Sequence, residues 1–280
     1  MRGLLTVVLL CFTILASAQG KPLQKPVDSL SIWSMLKYDA KYSWQSVKHS
    51  VIRPAHWKGE NFKILGVLVA GTVALSSIDE PANRFFVRQD TKAPKLIKDF
   101  GWYFGSPQNY FMLNAGLYGV GLLTKSETIR KTSVLIISSS VTTGLIQSLC
   151  KMTIGRARPG GDYGAFEFRP FSSEGAFHSF PSGHTILSMT MAHAIAKQFN
   201  STWAKVATYS IGSIIPLSRL TANAHWLTDT ALSAAISIVV VDCIDKFLNN
   251  NKIYRSRKSD KKIAWQLSVK PKQIGLVGLF

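Results

Sequence analysis

Acidic side chains are scarce: Asp and Glu total 15 against 33 Lys and Arg, leaving a formal charge of +18 over 280 residues. Such an imbalance suits an anionic partner, either a phosphate or a lipid headgroup. Nucleic acid is the other class of partner for so much charge. The chain has no finger, no aromatic-rich basic stripe and no other motif of that kind, which argues against nucleic acid. Cysteine is scarcer still, with three in the chain, too few for a disulfide scaffold. Cys150 and Cys243 stand inside apolar helical runs, which points to buried thiols rather than a bridge or a metal site. No internal repeat is present. With 46% hydrophobic residues the chain can bury one large core, and a single domain is the simplest count.

The first 18 residues, MRGLLTVVLLCFTILASA, carry one early Arg, an apolar run and the small residues Ala16, Ser17 and Ala18. This is a signal-peptide pattern that exports the chain; the other reading is an uncleaved anchor helix, for which the run is short. Cys11 lacks a small residue before it, which argues against a lipoprotein anchor. Residues 19–60 read as an N-terminal arm, with Trp33, Tyr38, Tyr42, Trp44 and Trp57 among basic residues. Such a mixture fits a helix at a membrane surface or an arm packed on the domain.

Six apolar runs follow, near 62–78, 109–124, 133–150, 184–199, 204–217 and 229–248. They predict an all-α fold, a bundle of about six core helices within a domain of residues 61–250. Segment 155–181 is rich in Gly and Pro and reads as a long loop. In the basic tail, 251–280, residues Ile263 to Phe280 can form a short β-hairpin through Lys270, Pro271 and Lys272. Mean hydropathy is modest at +0.13, and the runs leave open whether the chain crosses a membrane or packs as an amphipathic bundle. The basic tail places itself in the cytoplasm, which puts the motifs below one span away, on the outer face. Counting six spans backward places residues 20–60 inside, against the signal peptide. The conflict disappears if the run around Phe111 does not span, or if the whole domain is exported and membrane-associated.

Three stretches carry the chemistry: Lys151 to Pro159 (KMTIGRARP), Pro181 to His184 (PSGH) and Ser218 to Asp229 (SRLTANAHWLTD). Arg forks bind tetrahedral oxyanions and Lys acts as a point charge, so Lys151, Arg158 and Arg219 suit a phosphate, although each alone also fits a snorkelling side chain. In PSGH, Pro181 fits a helix start, Ser182 can cap it, and Gly183 lets backbone approach closely. The free N–H groups of that helix start form an anion seat, with His184 beside it as a proton donor. His225 and Asp229, four apart, share one face of a helical turn, where the carboxylate can hold the second imidazole nitrogen and leave the first as a nucleophile.

The order KxxxxxxRP, PSGH, SRxxxxxHxxxD resembles the type 2 phosphatidic acid phosphatase superfamily, which includes bacterial class A acid phosphatases and vanadium haloperoxidases. The resemblance implies the helical fold of that superfamily. It implies that Lys151, Arg158 and Arg219 bind phosphate with Ser182 and Gly183. His184 would be the general acid, His225 the nucleophile that becomes phosphohistidine, and Asp229 its orienting partner. No metal or other cofactor is needed for that hydrolysis. The Gly155–Arg156 context and SFPSGHT resemble the lipid phosphatase branch. The expected substrate is a lipid phosphate monoester or diphosphate: phosphatidic acid, phosphatidylglycerol phosphate, isoprenyl diphosphate or lipid A phosphate. The expected place is the bacterial inner membrane with a periplasm-facing site, or the periplasm. A broad periplasmic acid phosphatase is the alternative, and less so a haloperoxidase with vanadate on His225. Ala222, Asn223 and Ala224 stand where many relatives carry glycine, which puts the shape of the backbone before His225 in question.

Overall fold

The computed structural model describes residues 31–161, 163–251 and 253–254, and the backbone of 264–270 and 273–279. The signal peptide expected over residues 1–18 lies outside the described residues. Nine α-helices are present among the described residues, and they surround the longest, Glu127–Ile154, which we number α6 in chain order.

Helix α6 starts where the sequence provides a start. The Ser126 hydroxyl accepts from the Ile129 N–H, and Glu127 stands in the first turn, favourable to the helix dipole. Its buried face mixes Val134, Leu135 and Ile136 with Ser139, Thr142 and Thr143. Hydroxyls can be buried there because they bond back along the helix: Thr132 to the Thr128 carbonyl, Ser140 to Ile136, Thr143 to Ser139. The helix stops at Gly155, in the left-handed region at φ 58°, where a Cβ would meet the Arg169 carbonyl oxygen at 1.9 Å. Only glycine fits that position.

Around α6 pack α1 (Ile32–Ile52), α5 (Pro107–Leu123), α7 (Gly183–Ala196) and α9 (Leu227–Asn250). Their shared core includes Tyr110, Leu117, Leu135, Ile136, Val241, Ile244 and Leu248. Helix α8 (Thr202–Thr221) lies along α7, its Gly212 seated where a Cβ would be 2.6 Å from that of Ala192. Helix α1, within the segment expected as an arm, buries Met35, Asp39, Val47 and Ser50 and exposes Trp33 and Trp44. It is tied to the bundle by a buried polar knot. Arg130 donates twice to Asp39, at 2.7 and 2.9 Å, and the Tyr118 and Tyr254 hydroxyls donate to the same carboxylate at 2.8 and 2.6 Å.

Helix α2 (Gly59–Ser76) has no buried residue and exposes Phe62, Ile64, Leu65, Val67, Val69 and Val73. The chain then bends by 65° into α3 (Asp79–Asp90), followed by α4 (Lys95–Gly105). Neither α3 nor α4 was anticipated, because both are short and their apolar residues are interrupted by charge. Only α6 is by itself long and apolar enough to cross a membrane among the described residues, and half of its apolar window is covered by protein. Cys150 and Cys243 are unpaired and half-exposed rather than buried. Strands β1 (Ala264–Lys270) and β2 (Gln273–Leu279) pair antiparallel, Ala264 opposite Leu279 and Lys270 opposite Gln273, as the tail's sequence predicts.

Candidate active site

One end of the bundle gathers the three motifs. Lys151 lies in the last turn of α6, His184 in the first turn of α7, Arg219 in the last turn of α8, and Asp229 in the first turn of α9. The loop after α6 brings in Arg158, and its path is fixed by backbone hydrogen bonds. Arg169 N–H donates to the Gly155 carbonyl at 2.7 Å, Ala157 N–H to Glu167 at 2.9 Å and Ser179 N–H to Arg156 at 3.0 Å. The expected loop is therefore pinned to itself and to the site.

The three cations have no carboxylate within ion-pair reach among the described residues. Arg158 donates to the carbonyls of Gly175 and His178 at 3.1 and 3.4 Å, and Arg219 to the Ser218 hydroxyl at 3.3 Å. Arg219 also lies 5.2 Å from the Trp102 ring centre, with the His184 ring 6.5 Å from the same indole. Burial and the charges of Arg219, His225, Lys151 and Arg158 push the His184 imidazole down to about 4.

His225 is buried, and its Nδ1 lies 2.7 Å from the Ser179 carbonyl oxygen. A carbonyl only accepts, so Nδ1 carries the proton and Nε2 keeps its lone pair. The expected direct bond to Asp229 is not formed: the closest approach is 3.8 Å. The reason is local. Helix α9 begins at Leu227, so His225 precedes it and the shared helical face does not exist. Asp229 instead accepts from the Trp226 N–H at 2.9 Å, from the Ser179 hydroxyl, and from Arg156 at 2.7 Å. Burial raises the Asp229 carboxyl, but His225 and Arg156 more than offset this and hold it below its usual range; burial holds the His225 imidazole below its own.

Ser182 occupies the position before α7 without capping it through its side chain. Its hydroxyl accepts from Thr185 at 3.0 Å and its N–H donates to Ser233 at 2.8 Å. Of the anion seat expected there, this N–H is already engaged. A Cβ at Gly183 would fall 2.7 Å from the Gln147 amide, so what approaches this backbone closely is Gln147. The glycine-poor stretch before His225 is resolved by Asn223, which takes φ 55°, a region asparagine tolerates. Its side-chain oxygen accepts from Asn83 at 2.7 Å.

Sequence reasoning missed Arg156, Asp79, Ser179 and Trp102 as members of the site. Arg156 had a signal, standing in the same short run as Arg158. Asp79 and Trp102 had none, lying far upstream in helices that the apolar runs did not mark. Residues 132–252 match the family model described as the PAP2 superfamily. Among curated proteins, it is 36% identical over 102 residues to a lipid A 1-phosphatase of Rhizobium etli, covering 36% of this chain and 43% of that protein. A lipid A 1-phosphatase of Rhizobium johnstonii is 38% identical over 97 residues, 34% of this chain and 39% of the other. The chain thus spans less than half the length of these relatives. A solved structure, the first transmembrane PAP2 type phosphatidylglycerolphosphate phosphatase from Bacillus subtilis, aligns at TM-score 0.50 and 20% identity. It covers 70% of this chain and 96% of that one, which fixes the fold as PAP2-like and all-α.

Proposed function

We propose that the chain is a metal-independent lipid phosphatase acting through a phosphohistidine on His225. The observation that carries this reading is a buried imidazole with its Nε2 lone pair free, beside Lys151, Arg158 and Arg219, none paired with a carboxylate among the described residues. Such a pocket binds a phosphate and neutralises the charge that develops on its oxygens. In the first step Nε2 forms a bond to phosphorus as the phosphorus–oxygen bond to the lipid breaks, and His184 gives its proton to the departing oxygen. In the second, water attacks the phosphohistidine, its proton returns to His184, orthophosphate leaves and Nε2 regains its lone pair. Asp229 stabilises the cationic imidazole from 3.8 Å.

The relatives' names favour a lipid A phosphate as substrate. The uncovered apolar surface of α2 supports association with a lipid bilayer. The test is phosphate release from lipid A, phosphatidic acid, an isoprenyl diphosphate and para-nitrophenyl phosphate in detergent micelles with excess EDTA. Turnover of a lipid substrate in chelator is the expected result. Activity that vanishes with EDTA and returns with a divalent ion overturns the mechanism, and preference for the soluble ester indicates a broad acid phosphatase instead.

A further inference from the structure

Arg158 turns toward the pocket, but Arg156, two residues earlier, has nothing left to give a substrate. Its guanidinium is buried, with Nη1 donating to the Thr228 hydroxyl at 2.6 Å and to Asp229 at 2.7 Å. Nη2 donates to Asp79 at 2.7 Å and to the Ala165 carbonyl at 2.9 Å, and Nε to the same carbonyl at 3.1 Å. All five N–H donors of an arginine are thereby used. Its other face lies over Trp226, 5.6 Å from the ring centre.

Asp79, the first residue of α3, is fully buried. It accepts from Arg156, from the Thr228 N–H at 2.9 Å and from the Thr228 hydroxyl, so it holds the start of α9. The backbone of Arg156 accepts from Ser179 N–H at 3.0 Å. Ser179 then donates its hydroxyl to Asp229 and receives the Nδ1 proton of His225 on its carbonyl.

We infer that Arg156 and Asp79 are positioning residues: they clamp Asp229 and the Ser179 segment, and through Ser179 they set the direction in which His225 presents Nε2. The inference rests on His225 being the nucleophile. Altering one partner of this buried cluster leaves a charge without its full pairing and lowers stability, and a fixed imidazole direction is in addition worth much to an in-line attack. Arg156 and Asp79 therefore act on the reaction as well as on the fold.

The experiment compares Asp79→Asn and Arg156→Lys with the unaltered full chain in detergent, on the lipid phosphate it turns over best. Both variants should lower kcat by about tenfold to a hundredfold while KM stays within about twofold. The pH profile separates them. His225 faces Asp229 of α9, Lys151 of α6, Arg158 of the loop and His184 of α7, and Arg219 of α8 acts on His184. Asp79→Asn removes the negative charge that faces Arg156, leaves more of that guanidinium's field on Asp229 and the imidazole beside it, and should move the acid limb of kcat/KM to lower pH by about half a unit or more. Arg156→Lys keeps the charge and should leave the limb in place. If Asp79→Asn does not fold, the kcat and KM of Arg156→Lys decide. Wild-type kcat in the folded variants, or a lower Tm with kcat and pH profile unchanged, overturns the inference. Activity that persists in His225→Ala instead overturns the reading of the nucleophile, and the two failures are thus distinct.

Discussion

His184 and His225 share one cationic pocket, but their surroundings differ. His225 is fixed through Nδ1 to Ser179, while His184 is half-buried beside Trp102 with no hydrogen bond from its ring among the described residues. On the proposed mechanism the first is the nucleophile and the second donates to the leaving oxygen. His184→Ala should therefore lose far more kcat/KM on an alkyl lipid phosphate than on para-nitrophenyl phosphate, whose leaving group needs no proton. His225→Ala should lose both by several orders of magnitude. Equal leaving-group dependence in the two variants would refute the division of roles. The pH dependence follows from the same surroundings. Burial and four neighbouring positive or titratable groups hold His184 at about 4. A bound phosphate dianion reverses that field and raises the value. The loss of activity with rising pH should thus begin at lower pH in kcat/KM, which reports the free enzyme, than in kcat, which reports the complex. Coincident limbs would remove His184 as the acid.

At the scale of elements, α4 reaches the site only because it presents glycine. Gly101 lies where a Cβ would meet the Ser218 hydroxyl at 2.1 Å, and Gly105 where one would meet His184 Cδ2 at 2.4 Å and Ile215 at 3.0 Å. Both follow the small-residue logic of close helix contact. Gly105→Ala must move either α4 or His184. The expected result is a fall in kcat of about a hundredfold on alkyl phosphates, with para-nitrophenyl phosphate much less affected. The comparison of the two substrates is the measurement. Gly155→Ala acts on the fold instead. It forces a left-handed alanine against the Arg169 carbonyl at 1.9 Å and should cost about 2 kcal/mol or more, seen as a lower Tm.

For the whole molecule, the Asp39 knot joins α1, α5, α6 and the segment after α9 at once. Asp39→Ala leaves Arg130 buried without its partner, a cost of about 3–5 kcal/mol, measurable by thermal unfolding in detergent and expected to spare KM. Stability should also depend on pH. His184 and His225 both have folded values below the ordinary 6.5, so the unfolded chain binds protons first as pH falls. Their contribution is complete above about 6.5 and is lost toward the folded values. Tm should decline from pH 7 to 5, and the pair His184→Ala/His225→Ala should flatten that decline. Orientation in the membrane is testable with a cysteine at Ser173, exposed on the motif loop; Gly160 is unsuitable because its Cβ would be 2.9 Å from the Asn223 carbonyl. Labelling by an impermeant thiol reagent in intact spheroplasts, above the background of Cys150 and Cys243, is the result expected for a periplasm-facing site.

The sequence by itself determined the helical class and singled out Lys151, Arg158, His184, Arg219 and His225 as candidates, which the bundle then brought together. Apolar periodicity and motif spacing are local properties, and each motif lies at a helix end that its own residues create. Only the tertiary structure decided what holds His225. The separation of four from Asp229 suggested one helical face, but the helix begins after His225, and a carbonyl in a different motif takes the proton. It also decided that Arg156 is spent on Asp79 and Asp229 while Arg158 is not, since identical side chains in one short run differ only in what the fold brings against them. Asp79 and Trp102 could not be read in advance, because their partners are distant in sequence and a contact between α3 or α4 and the site exists only once the bundle has closed.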